Sequence, residues 1–340
     1  MDGSPPASAR GVYEFDRAAL VAHAQAVMAR GSKSFAVASR LFDPVTRERV
    51  WLLYAWCREC DDIADAQELG GELGDQAGAE LRLARIRALT ALALAGEPSG
   101  HASFDCLAVV ARECGLTARM AEDVIAGFAL DAAEWRPADE ADLLLYCYHV
   151  AGAVGVMMAA VMGVAADDAD TLDRACDLGI AFQLGNIARD LAEDDRAGRC
   201  YLPAQWLAEA GIAPGTRLFP GHEAALAGLA RRLAALAADY QASARVGAAR
   251  LPFRCRWAVL AAAGIYGAIA RRVAARGPRA WDTRVRTGTA AKLGHVLGGL
   301  IACFHSPAPH PVPRWSRRAL AERTGAGPFR APAGAGSPAG

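Results

Sequence analysis

From Tyr13 to about His305 the chain is written almost continuously in helix formers. Ala, Leu, Arg and Glu recur at three- and four-residue spacings, and no convincing alternation of apolar and polar residues with period two is present. Without the strand period there is nothing to build a sheet from, so the fold class is all-α. Gly and Pro punctuate the pattern at Gly31, Asp43-Pro44, Gly96-Glu97-Pro98, Arg136-Pro137, Pro203, Pro214-Gly215, Pro220-Gly221 and Gly277-Pro278, dividing it into roughly ten helices. No fixed-period repeat and no linker interrupts it. One helical domain over 13–305 is expected, with a flexible N-terminus at 1–12 and a disordered tail at 306–340 rich in Pro, Gly and Ala.

Charge and cysteine usage narrow the partners. The 37 Lys and Arg equal the 37 Asp and Glu, so the net charge is zero, and nucleic acid is not expected as a partner. An anionic ligand has to be held by a local arrangement of groups. The opening MDGSPPASARGVYEF has no apolar stretch after a basic region, so no secretory signal is expected. The nine cysteines lack the spacings of a disulfide framework, which fits a reducing cytosol and a cytoplasmic location. Cys57 and Cys60 form a CxxC, but no second CxxC or His pair completes a zinc site, and packing on a helix is the expected role. The longest apolar run, Val150 to Ala166, is shorter than the roughly 18 to 20 residues that span a bilayer. A buried helix lining a cavity is the better reading, and peripheral contact with the inner face of the cell membrane stays open.

Two acidic stretches carry the chemistry. In Tyr54-Ala-Trp-Cys-Arg58-Glu-Cys-Asp61-Asp62-Ile-Ala-Asp65, Asp61 and Asp65 stand four apart, so on a helix both carboxylates project from one face. In Gln183-Leu-Gly-Asn186-Ile-Ala-Arg189-Asp190-Leu-Ala-Glu193-Asp194 the spacing returns in Asp190 and Asp194, with Asn186 and Gln183 continuing that face backwards. Like charges one turn apart repel, and a single such pair is more often a solvated face. Two of them, each following a strongly apolar segment in a neutral chain, form a rarer combination. An all-oxygen ladder suits Mg²⁺, which binds through one or two carboxylates plus substrate phosphates. Arg58 and Arg189 stand beside these faces and could clasp phosphate oxygens in bidentate fashion.

Other residues carry less signal alone. Ser32 is as readily an N-cap as a ligand contact. Tyr146 and Tyr148 enter a helix that becomes wholly small or apolar; their hydroxyls could orient a leaving group or a carbocation, or merely pack. His149 reads as a structural histidine. Tyr266, Arg284 and Lys292 add a late hydroxyl and late cations.

The stretches GSKSF at 31–35, SRLFDP at 39–44, YAWCRECDDIAD at 54–65, YCYHVAGAVG at 146–155 and QLGNIARDLAEDDRAGRCYLP at 183–203 together resemble the squalene and phytoene synthases. The SKSF and YAWCRECDD wording is most similar to the bacterial phytoene synthases within that family. The resemblance implies the isoprenoid synthase fold, a single helical bundle around a central apolar cavity. It implies Mg²⁺, with Mn²⁺ as a substitute, held by Asp61, Asp65, Asn186, Asp190 and Asp194. It places Gln183, Arg58, Arg189 and Arg284 on the substrate or its diphosphate, and Ser32, Phe35, Tyr54, Tyr146 and Tyr266 at substrate and leaving-group contacts.

The implied reaction joins two geranylgeranyl diphosphates head to head through prephytoene diphosphate to phytoene, the first committed step of carotenoid biosynthesis, without NADPH. The alternatives are a C30 enzyme making squalene, dehydrosqualene or presqualene diphosphate from farnesyl diphosphate, and a non-catalytic isoprenoid-binding scaffold. A downstream desaturase is a compatible partner, and the oligomeric state is left open. Two departures from the family wording are the Ala-Asp-Ala at 64–66, expected not to affect metal binding, and the small Gly185, expected to loosen its helix slightly.

Overall fold

The computed structural model describes residues 13–67, 78–213 and 215–310, and these contain helices but no strand. The elements in order are α1 (Arg17–Gly31), α2 (Lys33–Ser39), α3 (Pro44–Ala64), α4 (Ala79–Leu94), α5 (Ala102–Cys114), α6 (Ala118–Ala132) and α7 (Glu140–Cys147). A π-helical turn, Tyr148–Gly152, leads into α8 (Ala153–Val161), followed by α9 (Ala169–Arg196), α10 (Ala204–Glu209), α11 (Glu223–Ala248), α12 (Phe253–Arg276) and α13 (Thr289–Ala302). The expected punctuation is recovered, with breaks added where the sequence gives quieter signals. Gly115 ends α5 in a left-handed conformation and Thr117 caps α6 two residues later, its hydroxyl accepting from the Met120 amide. Asp168 caps α9 in the same way through Thr171.

The 28-residue α9 is the axis of the bundle, with α8, α11 and α12 packed around it. Its approach to the π-turn is as close as backbones allow, since a Cβ on Gly179 would stand 2.2 Å from the carbonyl oxygen of Ala151. On the other side α3 packs on α1, α4 and α5, burying Leu52, Leu53 and Trp56, whose indole N–H donates to Thr90 at 3.2 Å. Two segments, Glu140–Val161 and Phe253–Trp281, are long and apolar enough to cross a membrane by length and composition. Both contribute side chains to an internal cavity, which gives their composition a structural use. The N-terminal stretch 1–12 and the tail from 311 lie outside the described residues. The described start of the tail ends on α11, where His310 Nε2 and Asp239 Oδ1 are 3.0 Å apart.

Candidate active site

An apolar cavity of about 330 Å³ runs beside α9. Ala175, Leu178, Gly179 and Phe182 of α9 form one wall, spaced as a single helix face. Val150, Ala151, Val154, Gly155 and Met158 form another, so the Val150–Ala166 run does line a cavity as its composition suggests. Phe42, Met162, Leu251 and Ala258 are also among the lining residues. Several polar and aromatic groups border the cavity. Phe35 and Tyr54 have ring centroids 5.8 Å apart, and Phe182 stacks on Tyr266 at 4.4 Å. Tyr266 is hydrogen-bonded to Ser32, and burial raises its pKa. Ser32 caps α2 by accepting from the Phe35 amide at 3.2 Å, and it also lines the cavity. Burial pushes the Tyr54 hydroxyl up to about 12, so it stays protonated and able to donate.

Farther along α9, beyond Phe182, come Gln183, Asn186, Arg189, Asp190 and Asp194, all half-buried. Asn186 Nδ2 donates to Gln183 Oε1 at 3.4 Å, which places the two amides on one face. Asp61 lies near the end of α3 and Asp65 is that helix's C-cap, its amide donating to the Asp61 carbonyl at 3.0 Å. The helical spacing therefore holds although α3 itself stops at Ala64, and Ala66 follows with φ of 50°.

The two acidic groups are connected by a residue that sequence reasoning did not single out. Arg199, just past α9, donates to Asp65 Oδ1 at 2.8 Å, and its charge also acts on Asp131 and Asp194. Its own amide donates to the Asp194 carbonyl at 2.8 Å, which fixes the turn that aims the side chain back at α3. Arg199 and Tyr201 lie inside the RAGRCYLP wording, a cation and a hydroxyl immediately after an acidic helix, and that was the available signal.

Each acidic face carries its own countercharges. Arg58 is bonded to Asp61 and lies 3.5 Å from Asp62. Arg189 Nε donates to Asp190 Oδ1 at 2.7 Å, and Arg284 Nη2 reaches the same oxygen at 3.0 Å and Glu193 at 3.3 Å. Arg284, 94 residues away in sequence, is thereby brought onto the second ladder. Burial is the main force raising the Asp61 pKa, with the Asp65 charge adding to it. Burial, then the neighbouring Asp190, Asp131 and Glu193 charges, pushes Asp194 up to about 7. The Arg189 and Arg284 guanidiniums overcome burial at Asp190 and lower its pKa.

Tyr146 takes a place different from the cavity-lining tyrosines. It is buried, stacked between Trp135 and Tyr201 at centroid distances of 6.1 and 4.6 Å, and its hydroxyl donates to Asp131 at 3.1 Å. Tyr201 donates to the same oxygen at 2.9 Å. Burial pushes Asp131 up to about 6 despite Arg199 and the two hydroxyls. Tyr146 thus joins the acidic cluster through Asp131 and Arg199. His149 is structural, its Nδ1 2.8 Å from the Asp123 carbonyl and its pKa lowered by burial. Cys57 lines the cavity, Cys60 is buried, and burial pushes the Cys57 thiol up to about 12, which suits packing and not redox or metal chemistry.

Among the described residues no three His, Cys, Asp or Glu side chains converge closely enough to cage a metal by themselves. What is assembled is a set of carboxylates and amides, interleaved with guanidiniums, beyond the Tyr54 and Phe182 end of the apolar chamber. Residues 28–290 match the family described as squalene/phytoene synthase. The chain belongs to the squalene/phytoene synthase family. This synthase is 45% identical over 304 residues to a phytoene synthase from Pseudescherichia vulneris, covering 88% of this chain and 98% of that one. It is 44% identical over 304 residues to a 15-cis-phytoene synthase from Pantoea ananas, again 88% and 98% of the two chains. Its structure superposes on that of a dehydrosqualene synthase solved in complex with a ligand, with a TM-score of 0.74, 25% identity, and coverage of 84% of this synthase and 96% of the other. The fold is the isoprenoid synthase fold.

Proposed function

We propose that the chain condenses two geranylgeranyl diphosphates head to head, through prephytoene diphosphate, to phytoene, releasing diphosphate at each of two ionisations and requiring no NADPH. The support for the C40 product is that bacterial relatives 44–46% identical over 82–88% of this chain bear the name phytoene synthase. The geometric support is the closeness of Asp61/Asp65 and Asp190/Asp194, joined through Arg199, beside a chamber walled by apolar side chains.

The isoprenoid synthase type generally uses a divalent metal, and the residues fit one. Their donors are all oxygen, and Asp194 is crowded by other carboxylates until its pKa stands at about 7, the condition that a nearby divalent cation relieves. Mg²⁺, or Mn²⁺ in its place, would be held by Asp61, Asp65, Asn186, Asp190 and Asp194, together with diphosphate oxygens and water. Bound there, it supplies Lewis-acid neutralisation of the departing diphosphate.

The chain's own groups do the rest. Arg58, Arg189 and Arg284 stand on the same faces and bind diphosphate oxygens through charge-assisted hydrogen bonds, with Gln183 beside them. Heterolysis of the allylic C–O bond sends its electron pair out with diphosphate, the double bond of the second substrate captures the cation, and loss of a proton from the resulting cation closes the ring of the cyclopropylcarbinyl diphosphate. Its ionisation and rearrangement end in proton loss. Phe35, Phe182 and Tyr266 offer π faces to the cationic stages, while the apolar walls keep water from quenching them. Tyr54, Tyr266 and Ser32 present hydroxyls at substrate and leaving-group positions, and Tyr146 steadies Asp131 behind Arg199.

The test is product analysis by purified protein given geranylgeranyl or farnesyl diphosphate with Mg²⁺, with and without NADPH. A C40 hydrocarbon from the C20 substrate, independent of NADPH, is expected. A C30 product formed preferentially from farnesyl diphosphate overturns the assignment of chain length, and no product from either overturns catalysis.

A further inference from the structure

The last of the described helices is packed the wrong way round for a surface that meets only water. On α13 the exposed positions from Ala290 to Ile301 are Ala290, Leu293, Gly294, Leu297, Gly298 and Ile301, and none of them bears a polar side chain. Leu293, Leu297 and Ile301 are 62%, 58% and 53% exposed, at spacings of four that keep them on one stripe. Phe304, 74% exposed, continues the stripe beyond the helix, and Phe253, 49% exposed, lies against it with ring centroids 5.9 Å apart. The inner side of α13 is already occupied by α12: Gly299 is buried against Ala261, and Trp257 donates to the Val296 carbonyl at 2.8 Å. The outward stripe is therefore a second apolar face on a helix that has already used its first. A contiguous exposed patch of this kind marks a surface that something covers.

The charge around it says what. The chain is neutral as a whole, yet among the described residues from Phe253 to His310 it carries nine Lys and Arg against one acid, Asp282. α12 and α13 contain no acidic residue. Arg254, Arg256, Arg272 and Arg276 donate to backbone carbonyls, which leaves their charges uncancelled by those bonds. An apolar helical stripe in basic surroundings matches the interface of an anionic bilayer, where the stripe enters the acyl boundary and the cations meet headgroup phosphates. The reaction gives the face a use. Leu251 lines the cavity, and Phe253, two residues on, is already part of the exposed patch.

We propose that the outer face of α13, with Phe253 and Phe304, seats the protein on the surface of an anionic lipid bilayer. The face stands on its own residues; the lipid product that gives it a purpose rests on the function proposed above. The test uses the full chain and flotation with phosphatidylcholine vesicles, with and without phosphatidylglycerol. The wild type is expected to float with the anionic vesicles, less so at high salt. Replacing Leu293, Leu297 and Ile301 together by Gln should cut the floated fraction about tenfold or more, while turnover of detergent-dispersed substrate and the melting temperature stay unchanged. A wild type that stays at the bottom of the gradient with anionic vesicles overturns the proposal, as does a triple variant that floats equally well. A triple variant that turns a dimer into a monomer with flotation intact assigns the face to a second copy instead. Turnover is read separately, so loss of catalysis with flotation intact counts against the reaction and not against the surface.

Discussion

Gly179 and Gly185 lie on the same helix and should respond to alanine in opposite directions. A Cβ at Gly179 would stand 2.2 Å from the Ala151 oxygen, 2.6 Å from its carbonyl carbon and 2.8 Å from Gly152 Cα. All three are backbone atoms that cannot swing aside, and ordinary contact begins about 1 Å farther out, so α9 and the π-turn must part by about that much. Overpacking of this kind costs ~1–3 kcal/mol, partly offset by the gain of ~1 kcal/mol from replacing glycine within a helix. The net expectation is about 1 kcal/mol of destabilisation, or a fall of about 2 °C in melting temperature. At Gly185 the nearest atoms to a new Cβ are Ala270 Cβ at 3.6 Å and the Tyr266 carbonyl at 4.0 Å. Alanine fits there, and stability should rise by ~0.5–1 kcal/mol. Calorimetry on the two variants measures the contrast. Because Gly179 lines the cavity one turn before Gln183, Gly179→Ala should also lower kcat by roughly a hundredfold through misplacement of the α9 wall. A Gly179→Ala protein that melts with the wild type and turns over normally would refute the account of how α9 is seated.

Three further outcomes follow from the site. Asp190→Ala should reduce turnover by about a thousandfold with circular dichroism unchanged, whereas undiminished turnover would favour a non-catalytic scaffold. Arg199→Leu removes a cation from beside Asp65, Asp131 and Asp194; the acid limb of the pH–rate profile should move to higher pH, and an unmoved limb would remove Arg199 from the cluster. Asp177 is buried with Ser243 donating to it, and burial pushes its pKa up to about 7. The folded protein therefore keeps this proton at a pH where the unfolded chain, titrating near 4, has lost it. The stabilisation is complete below about pH 4 and disappears as pH rises through about 7, a loss of about 2–3 kcal/mol between pH 5 and pH 8. Urea titrations at the two pH values should show this slope in the wild type and a flatter one in Asp177→Asn.

The parts of the site that could be read from the sequence are those written in short-range periodicity. Asp61 with Asp65, and Asn186 with Asp190 and Asp194, announce their shared faces because a helix repeats every three to four residues. The cavity wall from Val150 to Met158 was legible from its small, apolar side chains. Arg284 reaches Asp190 only through the turn of chain after α12, and no spacing rule connects positions so far apart. Arg199 escaped for a related reason, since it follows the helix it serves and its partner Asp65 lies on another. Tyr146 reads from the sequence as a hydroxyl at the leaving group or as plain packing, and its partnership with Tyr201 on Asp131 depends on how α6, α7 and the segment before α10 are packed. Net charge gave the least, because a sum of zero hides the basic C-terminal quarter.

The arginines on Asp61, Asp65 and Asp190 also determine what holds the molecule up without the proposed divalent cation. Guanidiniums of the chain offset part of the like-charge strain at Asp61, Asp65 and Asp190, and Asp194, pushed up to about 7, sheds its share by taking up a proton. Chelation should therefore silence the protein without unfolding it, leaving the thermal transition within about a degree of its starting point. In that respect the centre resembles a socket more than a rivet: emptying it disconnects the chemistry and leaves the building standing.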